Sequence, residues 1–329
     1  MLASITSIGR TLAVALLAWA GTATLSAAET LKVAYSDWPG WVAWEVAIQK
    51  GWFKEAGVDV EFVWMEYMPS MEAFQAGRVD AVTCTNGDQL VMAAAGKASK
   101  GIVLTDISYG NDMIVGRPGI NSLKDLKGKK VGLEIGLVEH LLLLKGLASV
   151  GMTEADVSLV PVPTNDTPQT LASGGVDAIG AWYPISSQAL EAVAGSKPLY
   201  TSKDAPGLIY DFTVVSTESL AARRADWAKF VAVWPRVVAY IQDPKTRDDA
   251  VKIMAARVNV DPAKYATFLP GTKLLDLAGN KAHFTKGDTL DSVYGSSALA
   301  HKFNIDNKVY TTELKVEEFI DPSLINALP

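Results

Sequence analysis

The sequence predicts an α/β protein built as two doubly wound lobes, and three observations carry that prediction. Short apolar runs alternate with helical ones from Leu31 onward, the same rhythm restarts at Lys129, and one local pattern occurs in both halves. FQAGRVDAVTCT (Phe74 to Thr85) and LASGGVDAIGAW (Leu171 to Trp182) each place a helix-ending glycine, a Val-Asp pair and an apolar strand in that order. A glycine there caps the helix in a left-handed turn and lets the strand begin at once. Strand and helix in alternation, joined by short loops, imply a mostly parallel sheet covered on both faces.

Taken in order, LKVAY reads as a strand, WVAWEVAIQKGWF as an amphipathic helix and VDVEFVWM as a second strand. A helix over PSMEAFQAGRVD, the strand DAVTCT, a helix over GDQLVMAAAG and the strand SKGIVLTDI complete the first run. The second run contains KKVGLE, a helix through Val150, DVSLVPV, a helix from Thr167 to Ser173, VDAIGAWY, a helix from Pro184 to Ala194 and KPLYTS. Between the runs, NDMIVGRPG and IYDFTVVS carry β-branched residues, the first beside Gly and Pro, and read as paired crossover strands suited to a hinge. Beyond Thr217, RADWAKFVAVWPRVVAYIQ, TRDDAVKIMAARV and DPAKYATFL read as helices returning to the first lobe, and the tail from Thr311 as a surface wrap. The expected division is 29–113 for the first lobe, 114–211 for the second and 212–329 for the return.

The first 28 residues read as a cleaved secretory signal. Arg10 precedes the apolar stretch TLAVALLAWAGTATL, about fifteen residues and short for a membrane span. Ser26 and Ala28 give a small-x-small cleavage pattern, with no cysteine at the junction for lipid attachment. The expectation is an exported, soluble, periplasmic protein acting as a monomer. A net charge of −6 argues against nucleic acid or an anionic membrane surface as partner. The single cysteine, Cys84, excludes an internal disulfide and sits in an apolar run where a thiol is normally inert.

No hydrolase elbow, phosphate loop or metal-spaced histidine pair occurs, and the three histidines (His140, His283, His301) are scattered. An enzyme is therefore not expected, nor a metal or other cofactor; a Cys84–His140 nucleophile and base pair lacks a flanking signature.

In doubly wound lobes, ligands dock at the carboxyl ends of the strands. The loops there are SDWPGW, WMEY, TNGD, SYGND, LEIGLVEH, GAWYP and LIYD. They hold Asp37, Glu66, Asp88, Asp112, Glu134, Glu139 and Asp211, with no Arg or Lys. They also hold Trp38, Trp41, Tyr67, Tyr109, Trp182, Tyr183 and Tyr210. Carboxylates beside aromatic faces suit a small planar cation, which donates paired hydrogen bonds and stacks. The turn at Gly136, which opens a helix, carries Glu134, Leu137, Val138 and Glu139 where small hydroxyl residues would cradle an oxyanion.

The candidate ligand-binding residues are Asp37, Trp38, Trp41, Glu66, Asn86, Asp88, Asp112, Glu134, Glu139, Trp182, Tyr183 and Asp211. Capping competes for several of them: Asp37 could cap the helix near Trp41, and Asn86 and Asp88 flank Gly87 at a helix start. Glu66 could point to solvent, Asp112 and Asp211 could be hinge bonds, and Glu139 could merely complement the helix dipole. His140 reads as a structural histidine, and Trp44 as core.

SDWPGW…GWFKEAGVDVEFV and SLKDLKGKKVGLEIG resemble the periplasmic substrate-binding proteins of nitrate, taurine and alkanesulfonate ABC importers, across essentially the whole chain after the leader. The resemblance implies a type II periplasmic binding protein fold, closure of two lobes over a small ligand, and delivery to a membrane permease and ATPase. SDWPGWVAWE, TNGD and GAWYP are closer to a branch associated with urea carboxylase, which implies urea or a guanidine-type ligand. A sulfonate or nitrate importer component is the alternative, and a pyrimidine-precursor protein or enzyme of the same fold a further one.

Overall fold

The structure, a computed structural model, describes residues 30–329, so the leader lies outside the described residues. Two sheets form the frame. The first has six strands in the order β11-β4-β10-β3-β1-β2. These are β1 (Leu31–Tyr35), β2 (Val60–Trp64), β3 (Ala81–Thr85), β4 (Ser99–Ser108), β10 (Tyr210–Ser216) and β11 (Thr272–Leu274). The second has five in the order β7-β6-β8-β5-β9: β5 (Asp112–Gly116), β6 (Lys130–Leu133), β7 (Ser158–Pro161), β8 (Ala178–Trp182) and β9 (Lys197–Thr201).

The sheets are mixed rather than mostly parallel. β1 runs parallel to β2 and β3, and β6 parallel to β7 and β8, as the helix-linked pattern requires. The two crossover segments enter reversed. β5 is antiparallel to β8 and β9, and β10 is antiparallel to β3 and β4. They do not pair with each other, because each is absorbed into a different sheet. β3, β5, β8 and β10 are buried along their whole length, consistent with their near-continuous apolar sequences.

The helix expected over Trp41 to Phe53 is three short pieces, Pro39–Val42, Trp44–Lys50 and Trp52–Glu55, the last break made by Gly51 at φ 70. Trp44 is fully buried among Phe53, Phe62, Phe230 and Trp234. The long helix Arg224–Gln242 therefore seals the first lobe. The elements that escaped the sequence reading include β11, the helix Leu277–His283, the helix Val293–Asp306 and the short helix Ser323–Asn326. The tail does more than wrap the surface. Ile320 bridges Gly101 beside β4, and Val316, Ile320, Leu324 and Ile325 are buried.

Candidate functional site

The carboxyl ends of β1, β3, β4, β6 and β8 converge where the two lobes meet. At the end of β1 the chain turns into the helix Pro39–Val42, whose N-cap is Trp38 with no side-chain cap bond. Asp37 is thus not a cap. Its Oδ1 accepts a 2.9 Å hydrogen bond from Trp182 Nε1, which comes from the end of β8 in the other lobe. Burial pushes the Asp37 carboxyl up to about 6, against the bond from Trp182.

Trp38 donates from Nε1 to Asp106 Oδ1 at 3.0 Å, and Thr105 Oγ1 donates to Asp106 Oδ2 at 2.9 Å. Asp106 is fully buried and rests on the backbone of Gly40, where a Cβ would lie 1.6 Å from Oδ2. Gly40 is required for that approach. Asp211 on β10 stands opposite Asp106 in register, and each carboxyl acts on the other's proton. Burial, then the neighbouring Asp106 and Asp112, hold Asp211 well above the carboxylate range, and burial lifts Asp106 to about 7.

Asp112, the first residue of β5, sits opposite Trp182 in register and accepts from Ser108 Oγ. Burial raises it to about 6. Glu139, in the first turn of the helix Val138–Ser149, is fully buried as a neighbour of Asp112. Burial, then Asp112, Glu134 and Asp88, push Glu139 far up. Glu134 leaves β6 and accepts from the Thr164 backbone N–H at 3.2 Å; burial lifts it to about 7. Asp88 accepts from Tyr67 OH at 2.6 Å, and burial raises it to about 6 against that bond and one from the Val138 amide of the other lobe.

Seven acids thus form one group: Asp37, Asp88, Asp106, Asp112, Glu134, Glu139 and Asp211. None of the ion pairs among the described residues includes any of them. No Lys, Arg or His figures among the principal influences on their protonation. Both oxygens of Glu139, Oε2 of Glu134 and Oδ2 of Asp211 are buried and accept no hydrogen bond from a protein N–H or hydroxyl among the described residues. No group of three or more His, Cys, Asp or Glu among the described residues is arranged to hold a metal ion.

The walls are aromatic. Trp41 stacks on Tyr67 with ring centroids 5.1 Å apart, and Tyr67 meets Trp182 edge-on at 5.3 Å. Trp41 Nε1 is buried and unpartnered. Tyr183 stacks on Phe268 at 4.0 Å and abuts Tyr265, and both tyrosine hydroxyls are buried and unpartnered.

Two candidates lie apart from this group. Glu66 is exposed at the head of the helix Tyr67–Gln75, near enough to Asp37 to influence it but not enclosed. Asn86 is buried as a clamp: Nδ2 donates to Ser296 and Ser297, and Oδ1 accepts from the Tyr210 amide. Its amide is satisfied within the protein. The cap before it is Thr85, whose hydroxyl accepts from the Asp88 N–H at 3.1 Å.

Sequence reasoning missed Asp106 and Tyr265. The signal for Asp106 was present, since SKGIVLTDIS ends in the only acid of an apolar strand, two residues before the loop considered. Tyr265 lies on a helix far along the chain, and only the fold brings it here. His140 is structural: Nδ1 accepts from the Gly136 amide and Nε2 lies 3.1 Å from Glu154. With both nitrogens engaged and burial pushing the Cys84 thiol far up, the Cys84–His140 pair has no support.

The family model described as NMT1/THI5 like matches residues 38–246. Over 245 residues the chain is 26% identical to a protein of Brucella abortus (strain 2308) named only as a binding protein, covering 72% of this chain and 74% of that one. Over 216 residues it is 28% identical to a Haemophilus influenzae protein named for thiamine biosynthesis, covering 63% and 67%. In structure it is similar to the alkanesulfonate-binding protein of Xanthomonas axonopodis pv. citri bound to MOPS, with TM-score 0.75, 17% identity, and 89% and 98% of the two chains covered. The periplasmic nitrate-binding protein of Synechocystis PCC 6803 matches with TM-score 0.69, 11% identity, and 90% and 87% covered. At these identities the two structures show the shared periplasmic binding protein fold.

Proposed function

This chain belongs to the NMT1/THI5-like family, and from that premise we propose that it is the solute-binding component of an ABC importer. It captures a small nitrogenous cation of the guanidine or amidine type between its lobes, and hands it to a permease and ATPase on other chains. It works as a periplasmic monomer and performs no chemistry on its ligand. The lobes divide near residues 113 and 211, with the remainder returning to the first.

The carrying observation is the set of seven converging acids without a counter-cation. A buried carboxylate with no partner is costly, and a bidentate cation offsets that cost directly. Trp41, Tyr67 and Trp182 supply faces on which a planar cation stacks. The Asp37–Trp182 bond joins the lobes, so ligand contacts with both acids and aromatics favour the closed state.

An anion is disfavoured for a specific reason. In this fold, anions suit a helix opening, yet the Val138 amide already faces the Asp88 carboxyl. Urea, being neutral, leaves the excess negative charge uncompensated and should bind more weakly.

Thermal unfolding of the mature chain with millimolar guanidinium, acetamidinium, urea, taurine or nitrate tests this reading. A ligand at a hundred times its dissociation constant stabilises by about 2.7 kcal/mol, a readily visible shift. Stabilisation by taurine or nitrate alone would overturn the cation assignment.

A further inference from the structure

Two pairs of acids in this site are buried as neighbours with unpartnered oxygens and no cation among the described residues in an ion pair with them, an arrangement that favours holding a proton. Asp211 and Asp106 face each other across the β10–β4 ladder, both essentially sealed from solvent. Asp112 at the head of β5 and Glu139 in the first turn of the helix Val138–Ser149 are likewise buried neighbours, and neither Glu139 oxygen accepts a hydrogen bond from a protein N–H or hydroxyl among the described residues. Like charges buried side by side disfavour double ionisation, so each pair favours one protonated member. Asp106 is already an acceptor for Trp38 Nε1 and Thr105 Oγ1, and Asp112 for Ser108 Oγ. The protons therefore reside on Asp211 and Glu139.

We infer that the site exchanges protons for its ligand: entry of the cation expels the protons held by Asp211 and Glu139, so that uptake is coupled to proton release. This inference rests on the cation reading above and deepens it. The O–H bond of each acid breaks, its proton leaves to solvent, and the freed carboxylate oxygen accepts an N–H from the ligand.

The groups facing the two protonated acids are nearly all of one sign. Asp211 on β10 meets Asp106 from β4, Asp112 from β5, Asp88 from the helix Asn86–Ala94 and the neutral thiol of Cys84 from β3. Glu139 meets Asp112, Glu134 from the end of β6, and Asp88. Tyr67 donates to Asp88, and Tyr265 lies near Asp37 and Asp106. His140, beside Glu139 in sequence, is engaged with Glu154 and the Gly136 amide. With no resident cation to hold these acids ionised, protons are the counter-charge of the empty site. A guanidinium replaces them with a charge that also makes directed hydrogen bonds. Urea brings no charge and displaces none.

The test is calorimetric titration of the mature chain with guanidinium chloride and with acetamidinium chloride. Titrations run at pH 6, 7 and 8 in buffers of different ionisation enthalpy, which reads protons released per ligand bound. The expected result is release of about one proton or more near pH 6 to 7, with affinity rising by up to about tenfold per pH unit for each proton released. Asp211→Asn and Glu139→Gln keep a donor in each pair but no titratable proton. Each should lower the proton count and flatten the pH dependence, with thermal unfolding confirming that the variants fold. Should either single variant fail to fold, the parent's proton count alone decides. Cation binding with no proton release overturns the inference and leaves the functional reading intact. Absence of binding by both cations from pH 6 to 8 overturns the functional reading and the inference with it.

Discussion

Two buried acidic regions of this protein differ in one respect. Glu45 lies in the first lobe, accepts from Tyr35 OH, and is paired with Arg257 Nε at 3.2 Å. The Arg257 guanidinium sits 4.1 Å from the Trp64 ring centroid and 5.4 Å from that of Tyr35. Carboxylate, tyrosine hydroxyl, indole face and guanidinium form a complete unit. The site between the lobes repeats the first three with Asp88, Tyr67, Trp41 and Trp182, and lacks the fourth. The chain thus supplies a guanidinium to one buried acid and withholds one from seven. The ion pair is finished within the fold, whereas the proposed site is left for a ligand to finish.

The comparison can be broken most sharply by truncation. Trp182→Ala or Glu134→Ala should weaken guanidinium binding by about 2–5 kcal/mol, as when one partner of a buried pair is removed, while the protein stays folded. Isothermal titration reads this directly, and unchanged affinity in both variants would remove these residues from the site. Arg257→Met should do the reverse. It leaves Glu45 buried and unpaired, lowers stability by about 1–3 kcal/mol, and leaves ligand affinity unaltered. Melting temperature and titration on the same sample separate the two.

Gly40→Ala is intermediate. A Cβ 1.6 Å from Asp106 Oδ2 must displace that carboxyl, at a cost of about 1–3 kcal/mol. Ligand affinity should fall together with melting temperature. Glu134→Gln should instead stabilise the empty protein at pH 8 by up to about 3 kcal/mol, the worth of lifting its carboxyl from 4.5 to about 7, while weakening cation binding. A fall in melting temperature would mean that Glu134 is a structural acid. Heat is the right perturbant throughout, because urea and guanidinium are themselves among the ligands at issue.

The most general effect is on pH. Asp37, Asp88 and Asp112 titrate at about 6 in the folded chain, and Asp106 and Glu134 at about 7. All five lie above their unfolded values near 4. Between those limits the folded state holds more protons than the unfolded one, so its stability falls as pH rises. The melting temperature of the ligand-free chain should therefore decline from pH 5 to pH 8, and saturating guanidinium should reduce that decline. A rise over the same interval would show that the acids are ionised and compensated within the protein.

Much of this was legible in the chain before any fold was known. The strand and helix alternation, the VDA units and the glycines that end helices are local signals, fixed by periodicity and backbone sterics over a few residues. Six of the seven clustered acids, and Trp38, Trp41 and Trp182 with them, could be named because strand ends are where side chains reach a cleft. Capping and binding could not be told apart at Asp37, Asn86 and Asp88, since a short polar side chain at a helix start serves either purpose. The tertiary structure alone assigned Asp37 to Trp182 of the other lobe, Asn86 to Ser296 and Ser297, and Asp88 to Tyr67. It also reversed β5 and β10 within their sheets, which set Asp211 against Asp106 and Asp112 against Trp182. Strand direction and register depend on contacts 70 residues apart for Asp112 and Trp182 and 105 for Asp106 and Asp211, which no local pattern encodes. The sequence by itself determined which acids and aromatics stand at strand ends, and only the packing of the two sheets decided which of them come together.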